Sequence, residues 1–395
     1  MRKAELMSIS RNALRYVVIV AGEASADLHG SNLVKAIKKL NPSVNFIGIG
    51  GRKMEDAGVK ILVPSSDMAV VGLTEVFPRL VMIFKAYLKL RSMLKKVRPH
   101  LLILIDYPDF NISLARSAKR LNIPVLYYIS PQLWAWRKGR IKKLVKRVDK
   151  MAVILPFEEQ FYQQKGMDVE YVGHPLLDAL PQDLAKGTPG KEKGGSSGFP
   201  ILGIVPGSRV EEVTNLLPPM MGAAQILSTH YPDLRCVLPI APTISPSLIE
   251  SFIRKSQVNV TTFEGNIYEA LSKCDLALVA SGTATLETAM MEVPMIIVYR
   301  VSLMSYLMGR LLVRVPHIGL VNLVAGEEIV PELIQNDVTP RKIAREAFSI
   351  LEDGQKKQNM VKKLHKLKEH LGQRPPSERT AHIALEMMGE HPPQG

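Results

Sequence analysis

The chain has 395 residues, 46% of them hydrophobic and 22% charged, which is ordinary globular composition with material for two buried cores. It excludes wholesale disorder, collagen and coiled coil. The 51 Lys+Arg against 37 Asp+Glu leave a formal charge of +14, and residues 79–150 alone carry 18 basic residues against Asp106, Asp109 and Asp149. So concentrated a basic stretch implies an anionic partner: nucleic acid, phospholipid headgroups or a phosphorylated substrate. Cys236 and Cys274 stand in apolar surroundings, too few for a disulfide framework or a zinc site, and a reduced compartment fits. The first fifteen residues are polar and basic, without the apolar core of a signal peptide. No run of about 18 apolar residues occurs; the uncharged stretch 213–232 is broken by Pro218, Pro219 and Pro232. Membrane contact is expected to be peripheral.

In chain order, short β-branched runs alternate with longer helical patterns, the mark of a parallel sheet with crossover helices. Strands are expected at Tyr16–Ala21, Val44–Ile49, Leu101–Ile105, Pro124–Tyr128, Met151–Ile154 and Val169–Val172, with helices such as Leu28–Leu40 and Leu80–Val97 between them. Their near-continuous apolar character suits strands buried on both faces. Residues 187–198 contain no apolar side chain and read as a linker or surface loop. The pattern then restarts, with strands at Ile201–Val205, Arg235–Ile240, Val258–Phe263, Leu276–Ala280 and Met295–Val298. From Pro340 the tail is helical, and Pro375-Pro376 break it before a last helix at Glu378–Met388. The reading is two doubly wound, Rossmann-like α/β domains, 1–186 and 200–372, joined at 187–199. Residues 373–395 are expected to pack back on the first domain or on a partner subunit of a homodimer. Open α/β sheets bind ligands beyond the carboxyl ends of their strands, so the two domains are expected to face each other across a cleft.

Four strand-end loops carry candidate chemistry. In Ala21-Gly-Glu-Ala-Ser-Ala-Asp27, Gly22 permits a tight turn and Asp27 or Ser25 is placed to cap the next helix. In Leu104-Ile-Asp-Tyr-Pro-Asp-Phe-Asn111, Asp109 behind Pro108 suits an N-cap, whereas Asp106 ends an apolar strand, where desolvation raises a carboxylate toward a useful basicity. In Val205-Pro-Gly-Ser-Arg-Val-Glu-Glu212, Ser208 and Glu211 have capping-box spacing. The helix start there, with Gly207 and the fork of Arg209, suits a phosphate. In Ala280-Ser-Gly-Thr-Ala-Thr-Leu-Glu287, the small residues Ser281, Gly282 and Thr283 allow close approach of a phosphate, and Glu287 is placed to accept from ribose hydroxyls or simply to favour the helix dipole.

Other motifs fail. There is no Gly-x-x-x-x-Gly-Lys-Ser/Thr, Gly48-Ile-Gly-Gly51 lacks the spacing of a dinucleotide fingerprint, and the nine histidines show no ligand spacing. His174 in Gly173-His-Pro reads as a loop histidine satisfied by backbone, kept as a candidate site residue. No metal or other cofactor is called for.

The motifs Gly22-Glu-Ala-Ser, Ile105-Asp-Tyr-Pro-Asp-Phe-Asn111, Ile129-Ser-Pro-Gln-Leu-Trp-Ala-Trp-Arg137, Gly173-His-Pro, Pro206-Gly-Ser-Arg209, Ala280-Ser-Gly-Thr-Ala-Thr-Leu-Glu287 and Asn322-Leu-Val-Ala-Gly326 resemble the lipid-A-disaccharide synthase family, in the family's order. The segment with Ser130, Trp134, Trp136 and Arg137 is the most specific, since it holds both tryptophans of the chain. Ala26 stands where the family usually has glycine, which adds only a methyl group. The resemblance implies an inverting GT-B glycosyltransferase. It would transfer 2,3-diacylglucosamine from UDP-2,3-diacylglucosamine to 2,3-diacylglucosamine 1-phosphate, releasing UDP, on the cytoplasmic side of a Gram-negative inner membrane. It also implies Asp106 as the base and a UDP site of Gly207, Ser208, Arg209, Ser281, Gly282, Thr283, Glu287 and Asn322. Gly22, Glu23, Ser25, Asp27, Asp109, Ser130, Trp134, Trp136, Arg137 and His174 fall on the acceptor side or in its framework.

Two other readings compete. Another UDP-sugar GT-B enzyme, an epimerase or transferase, would share the second-domain loops without needing a basic first domain. A nucleic-acid-binding protein would use the basic stretch, but no such signature is present, so no nucleic-acid partner is expected. The segment Arg79–Arg98 places Leu80, Ile83, Phe84, Tyr87, Leu90, Met93, Leu94 and Val97 at helical spacing as a core-facing stripe, and carries seven basic residues without an acid. Arg137–Lys150 adds eight more. Attachment to anionic lipid is expected through this basic side, helped by the Met-containing segment Leu303–Leu312.

Overall fold

The computed structural model describes residues 15–68, 76–134, 138–179, 199–254, 256, 258–265, 267–302, 306, 315–372 and 374–390. The linker expected at 187–198, most of Leu303–Leu312, Trp136 and Arg137 lie outside these. The described chain divides into two compact units: one holds residues up to Ala179 together with those from Gly372 onward, the other runs to Leu371.

The first unit winds through β1 (Arg15–Ala21), α1 (Ala24–Leu40), β2 (Val44–Gly50), α2 (Arg52–Asp56), β3 (Val59–Pro64), α3 (Val76–Val97), β4 (Leu101–Ile105), α4 (Pro108–Lys119), β5 (Val125–Tyr128), α5 (Ile141–Val145), β6 (Lys150–Val153), α6 (Pro156–Gln163), β7 (Val169–Tyr171) and α7 (Leu176–Ala179). Its seven strands lie in the order β3-β2-β1-β4-β5-β6-β7, all parallel. Because side chains alternate across a strand, Val18, Val20, Leu102, Leu104 and Tyr127 pack against α3, α4 and α5 on one face. Val17, Ile19, Leu101, Ile103 and Tyr128 pack on the other, against α1 and α2. Each such large side chain taken out of water contributes about 1.5–3 kcal/mol.

The last helix, Pro376–Met387, completes that second face: Ala381, Ile383, Ala384 and Leu385 are buried in it. Arg15 donates to the carbonyl of Met388 at 3.0 Å and pairs with Glu390 at 3.1 Å, and Ser377 donates to Asp178 at 2.7 Å. The end of the chain therefore belongs structurally with its beginning.

The second unit contains β8 (Ile201–Val205), α8 (Val210–His230), β9 (Arg235–Ile240), α9 (Pro246–Ile253), β10 (Val260–Glu264), α10 (Ile267–Leu271), β11 (Leu276–Ala280), α11 (Thr283–Met290), β12 (Met295–Tyr299), α12 (Leu320–Ala325), β13 (Glu332–Ile334), α13 (Pro340–Glu352) and α14 (Gly354–His370). Its strands run β10-β9-β8-β11-β12-β13, again parallel. Cys236 and Cys274 are buried and free, and burial pushes both thiols up to about 12, so they behave as inert apolar packing.

Both sheets reverse their winding between two strands, β1 and β4 in the first and β8 and β11 in the second. Such switch points are where the loops diverge and a crevice opens. Two strands were not expected from the sequence, β3 and β13. Both are edge strands with half-exposed side chains, so neither shows a continuous apolar run. The capping expected of Ser25 and Asp27 is also corrected. Helix α1 begins at Ala24 with Glu23 as its N-cap, which leaves Ser25 exposed inside the first turn. Asp27 caps α2 instead. Its buried carboxylate accepts from the N–H groups of Gly51 at 2.6 Å, Lys53 at 3.1 Å and Met54 at 3.1 Å.

Replacing Asp27 strands three donors at once. Asp27→Ala is expected to destabilise the first unit by about 2–3 kcal/mol, read as an earlier unfolding midpoint in urea, with Asp27→Asn losing less.

Candidate active site

Strand β4 is five consecutive buried residues ending at Ile105. At its end the backbone turns through two left-handed positions, Asp106 at φ +45° and Tyr107 at φ +48°, before Pro108 opens α4. Left-handed geometry costs a non-glycine residue roughly 1–2 kcal/mol, and two in succession outside a glycine turn point to function. The Tyr107 ring lies over Gly22, where a Cβ would stand 2.6 Å from its Cγ. Gly22 is thus required for space, not for an unusual φ, and the loops after β1 and β4 interlock at the switch point. Tyr107 also donates to the carbonyl of Met68 at 3.1 Å.

The Asp106 carboxyl is half-buried. Burial, and then the negative charge of Glu23, push it up to about 6, which suits a base that is ionised near neutral pH and still able to hold a proton. Asp109 is not the N-cap expected of it. The cap position belongs to Tyr107, and Asp109 sits in the first turn of α4, exposed and paired with Arg140. Asp109 is thus an exposed carboxylate engaged by an arginine, whereas Asp106 is half-buried at the strand end.

The next loop is organised by a residue the sequence did not single out. Glu158 on α6 is buried, and its carboxylate accepts from Ser130 Oγ at 2.6 Å, Trp134 Nε1 at 2.9 Å, and the N–H groups of Ile154 and Leu155 at 3.2 and 3.1 Å. Tyr162, one turn on, donates to the carbonyl of Pro131 at 2.7 Å. Nothing in the pattern of α6 marks Glu158; only its four donors do. His174 is buried, its Nδ1 accepts from the N–H of Leu176 at 3.3 Å, and burial holds its pKa down at about 3. It is a neutral framework residue.

In the second unit a cavity of about 400 Å³ opens at the β8/β11 switch point, lined by Gly207, Ser208, Arg209, Gly282, Thr283 and Glu287 among others. The expected capping box shifts by one residue: Arg209 is the N-cap of α8 and Glu212 the third helical residue, in place of Ser208 and Glu211. Glu212 accepts from the N–H groups of Ser208 and Arg209 at 3.0 and 3.3 Å and from the Arg209 guanidinium at 3.1 Å. It thus occupies the donors expected to meet a phosphate. Gly207, at φ +109°, must be glycine, since a Cβ would also lie 2.4 Å from Glu212. Helix α11 differs: Gly282 offers no side-chain cap, and the N–H of Thr285 in its first turn bonds the Gly282 carbonyl at 3.1 Å, while Gly282, Thr283 and Ala284 line the cavity. Ser281 Oγ donates to the carbonyl of Ile318 at 3.0 Å, tying this loop to the segment before α12. Thr283 is exposed at the helix start, and Glu287 lies one turn in, raised by burial.

Asn322 does not join this group. It is fully buried, donates to the Val330 carbonyl and Glu332, and accepts from the N–H groups of Ile329 and Val330. An amide so fully engaged has no capacity for a nucleotide. The UDP contact expected of Asn322 is therefore withdrawn; it clamps α12 to β13.

Two parallel α/β units, each with its candidate loops at the switch point, give the two-domain Rossmann-like architecture of the GT-B fold. A family model described as Lipid-A-disaccharide synthetase matches residues 17–387. A lipid-A-disaccharide synthase of Geobacter sulfurreducens is 44% identical over 382 residues, covering 97% of this chain and 100% of that protein. The enzyme of that name from Syntrophus aciditrophicus is 46% identical over 375 residues, covering 95% and 98%. The chain belongs to the lipid-A-disaccharide synthase family. Its fold is shared more widely: a UDP-GlcNAc 2-epimerase from Neisseria meningitidis superposes with a TM-score of 0.62 at 13% identity, over 94% of this chain and 100% of that one.

The raised Asp106 pKa fixes two signs. Activity that needs its carboxylate falls as pH drops through about 6. Stability runs the other way, because a carboxyl raised in the fold contributes stability that is present below its ordinary value of 3.8 and lost as pH rises through about 6. Asp106→Asn is therefore expected to abolish turnover yet raise the melting temperature at pH 8, with no gain at pH 4. Calorimetry at the two pH values checks it.

Proposed function

We propose that this member of the family holds UDP in the second-unit cavity and uses Asp106 of the first unit as its base. The observation that carries the reading is the raised, half-buried carboxyl of Asp106 on a strained switch-point turn. In the transfer, Asp106 takes the proton of the acceptor's primary hydroxyl as that oxygen bonds to the anomeric carbon of the donor sugar. The bond from that carbon to the β-phosphate oxygen breaks, and UDP leaves with the electron pair. Inversion follows from attack on the face opposite UDP.

Negative charge grows on the departing diphosphate, so donors fixed there favour the transition state over the ground state. The N–H groups at the start of α11 supply part of this, and Glu287 is placed for the ribose. Arg209 has to exchange Glu212 for phosphate. That exchange costs little, because the Arg209 side chain is 81% exposed and exposed pairs are worth at most about 1 kcal/mol. Arg209→Ala is expected to lower UDP affinity and turnover about tenfold or more, measured by calorimetric titration with UDP and by initial rates.

A product assay tests the reaction itself. Radiolabelled UDP-2,3-diacylglucosamine and 2,3-diacylglucosamine 1-phosphate should yield a tetraacyl disaccharide 1-phosphate and UDP in equal amounts. Epimerised UDP-sugar without disaccharide would favour the rival reading.

Acylated substrates must also be met at a bilayer, and helix α3 supports attachment there. Ala86, Leu90 and Leu94 face the core, with Ile83, Tyr87 and Met93 packed beside them. Phe84, expected in that stripe, is instead 60% exposed, with Val81, Met82 and Leu88 also exposed. At the helical repeat Phe84 falls beside Leu88 and Val81, off the arc that meets the sheet. These apolar side chains stand among Lys85, Lys89, Lys95 and Lys96, and the described helix has no acid. Exposed apolar side chains on a helix that also carries lysines and no acid suit anionic lipid. Among the described residues no helix is long and apolar enough to cross a membrane. Co-sedimentation with anionic vesicles, weakened by high salt and by Phe84→Ser/Leu88→Ser, is the expected result. Equal binding to neutral vesicles would show that the lysines serve another purpose.

A further inference from the structure

The strained turn at Asp106 is held from below by two buried side chains. The carbonyl of Asp106 accepts Tyr127 Oη–H at 2.6 Å and Asn111 Nδ2–H at 2.6 Å, and the same Asn111 amide donates to the carbonyl of Ile105 at 3.2 Å. Both side chains are completely buried. Tyr127 reaches across from β5, where it pairs in register with Leu104, and Asn111 reaches back from the first turns of α4, whose own N–H bonds the carbonyl of Tyr107 at 3.1 Å. The two therefore grip one oxygen from two different elements.

That oxygen reports the orientation of the peptide plane between Asp106 and Tyr107. Rotating this plane toward ordinary right-handed or extended geometry would carry the carbonyl away from both donors. It would leave a tyrosine hydroxyl and an amide buried without their acceptor. The same rotation would swing the Asp106 side chain, since φ and ψ of that residue set its Cα–Cβ direction. A strained conformation persists only where its surroundings over-determine it, and here the over-determination is two short hydrogen bonds.

We infer that Asn111 and Tyr127 are positioning residues: by holding the Asp106 carbonyl they keep that residue left-handed and its carboxylate aimed at the reacting hydroxyl. The inference rests on Asp106 being the base. Both side chains are closed off from solvent, so each acts only through the geometry of Asp106.

Tyr127→Phe removes one hydroxyl and leaves the ring that fills the core. Its kcat is expected to fall about tenfold or more, since misplacement by about 1 Å costs as much as a hundredfold, while KM for both substrates and affinity for UDP stay within about twofold. Asn111→Ser, which shortens the reach to the carbonyl, should behave alike, and it replaces Tyr127→Phe if that variant does not fold. The discriminating measurement is a double-mutant cycle. Added to Asp106→Asn, Tyr127→Phe should cost little further rate, because the carboxylate it positions is gone. An equal loss in both backgrounds, or a folded Tyr127→Phe with unchanged kcat, would overturn the inference. If Asp106→Asn itself retains full turnover, the reading of Asp106 as base fails, whatever Tyr127→Phe does.

Discussion

A parallel strand that delivers a catalytic carboxylate must stop its side-chain alternation and turn the next residue out of the sheet. In this chain β4 gives way to Asp106, the base proposed above, and Tyr107, neither of them glycine, both at positive φ. Much of the first unit is arranged around keeping them there. Gly22 makes room for the Tyr107 ring, and Asn111 and Tyr127 hold the Asp106 carbonyl. Strand β5 ends in a similar way. Ile129, a β-branched residue, stands at φ +62°, and Ser130 beyond it is anchored by Glu158. Strain thus gathers at adjacent strand ends, where ligands of parallel sheets bind.

The second unit works with little strain and with competing charges. Two helix starts approach one cavity, but their donors are in different states. At α8 the donors are satisfied by Glu212, whereas at α11 the helix start carries no side-chain cap. In the proposed binding mode, a diphosphate at α11 would compete with Glu212 for Arg209, whose ion pair is exposed. Glu212 then keeps the loop folded through its bonds to the Ser208 and Arg209 N–H groups. One carboxylate thus both pairs with the guanidinium and shapes the loop.

The architecture was legible because buried parallel strands announce themselves as apolar runs. Leu101–Ile105, Ile201–Val205, Arg235–Ile240 and Leu276–Ala280 have the bounds that their composition implies. The edge strands β3 and β13 escaped notice, since a strand half open to solvent lacks that signature. Motif chemistry placed Asp106 and the cavity loops, but not the partners of each residue. Capping by Asp27 and the engagement of Asn322 away from the cavity depend on contacts 7 to 27 residues apart. Spacing within a motif carries no information about these. Glu158 and Tyr127 were invisible for the same reason: each is an ordinary residue of its element until the loop it holds is seen.

The central claim is that the fold gives Asp106 a proton affinity suited to a base at neutral pH. It is tested most directly by following its carboxyl carbon by ¹³C NMR across pH in the full chain, with Asp106→Asn used to assign the signal. The account predicts a midpoint near 6. A midpoint at the ordinary value of 3.8 would contradict it, since burial and Glu23 would then not be acting on that carboxyl.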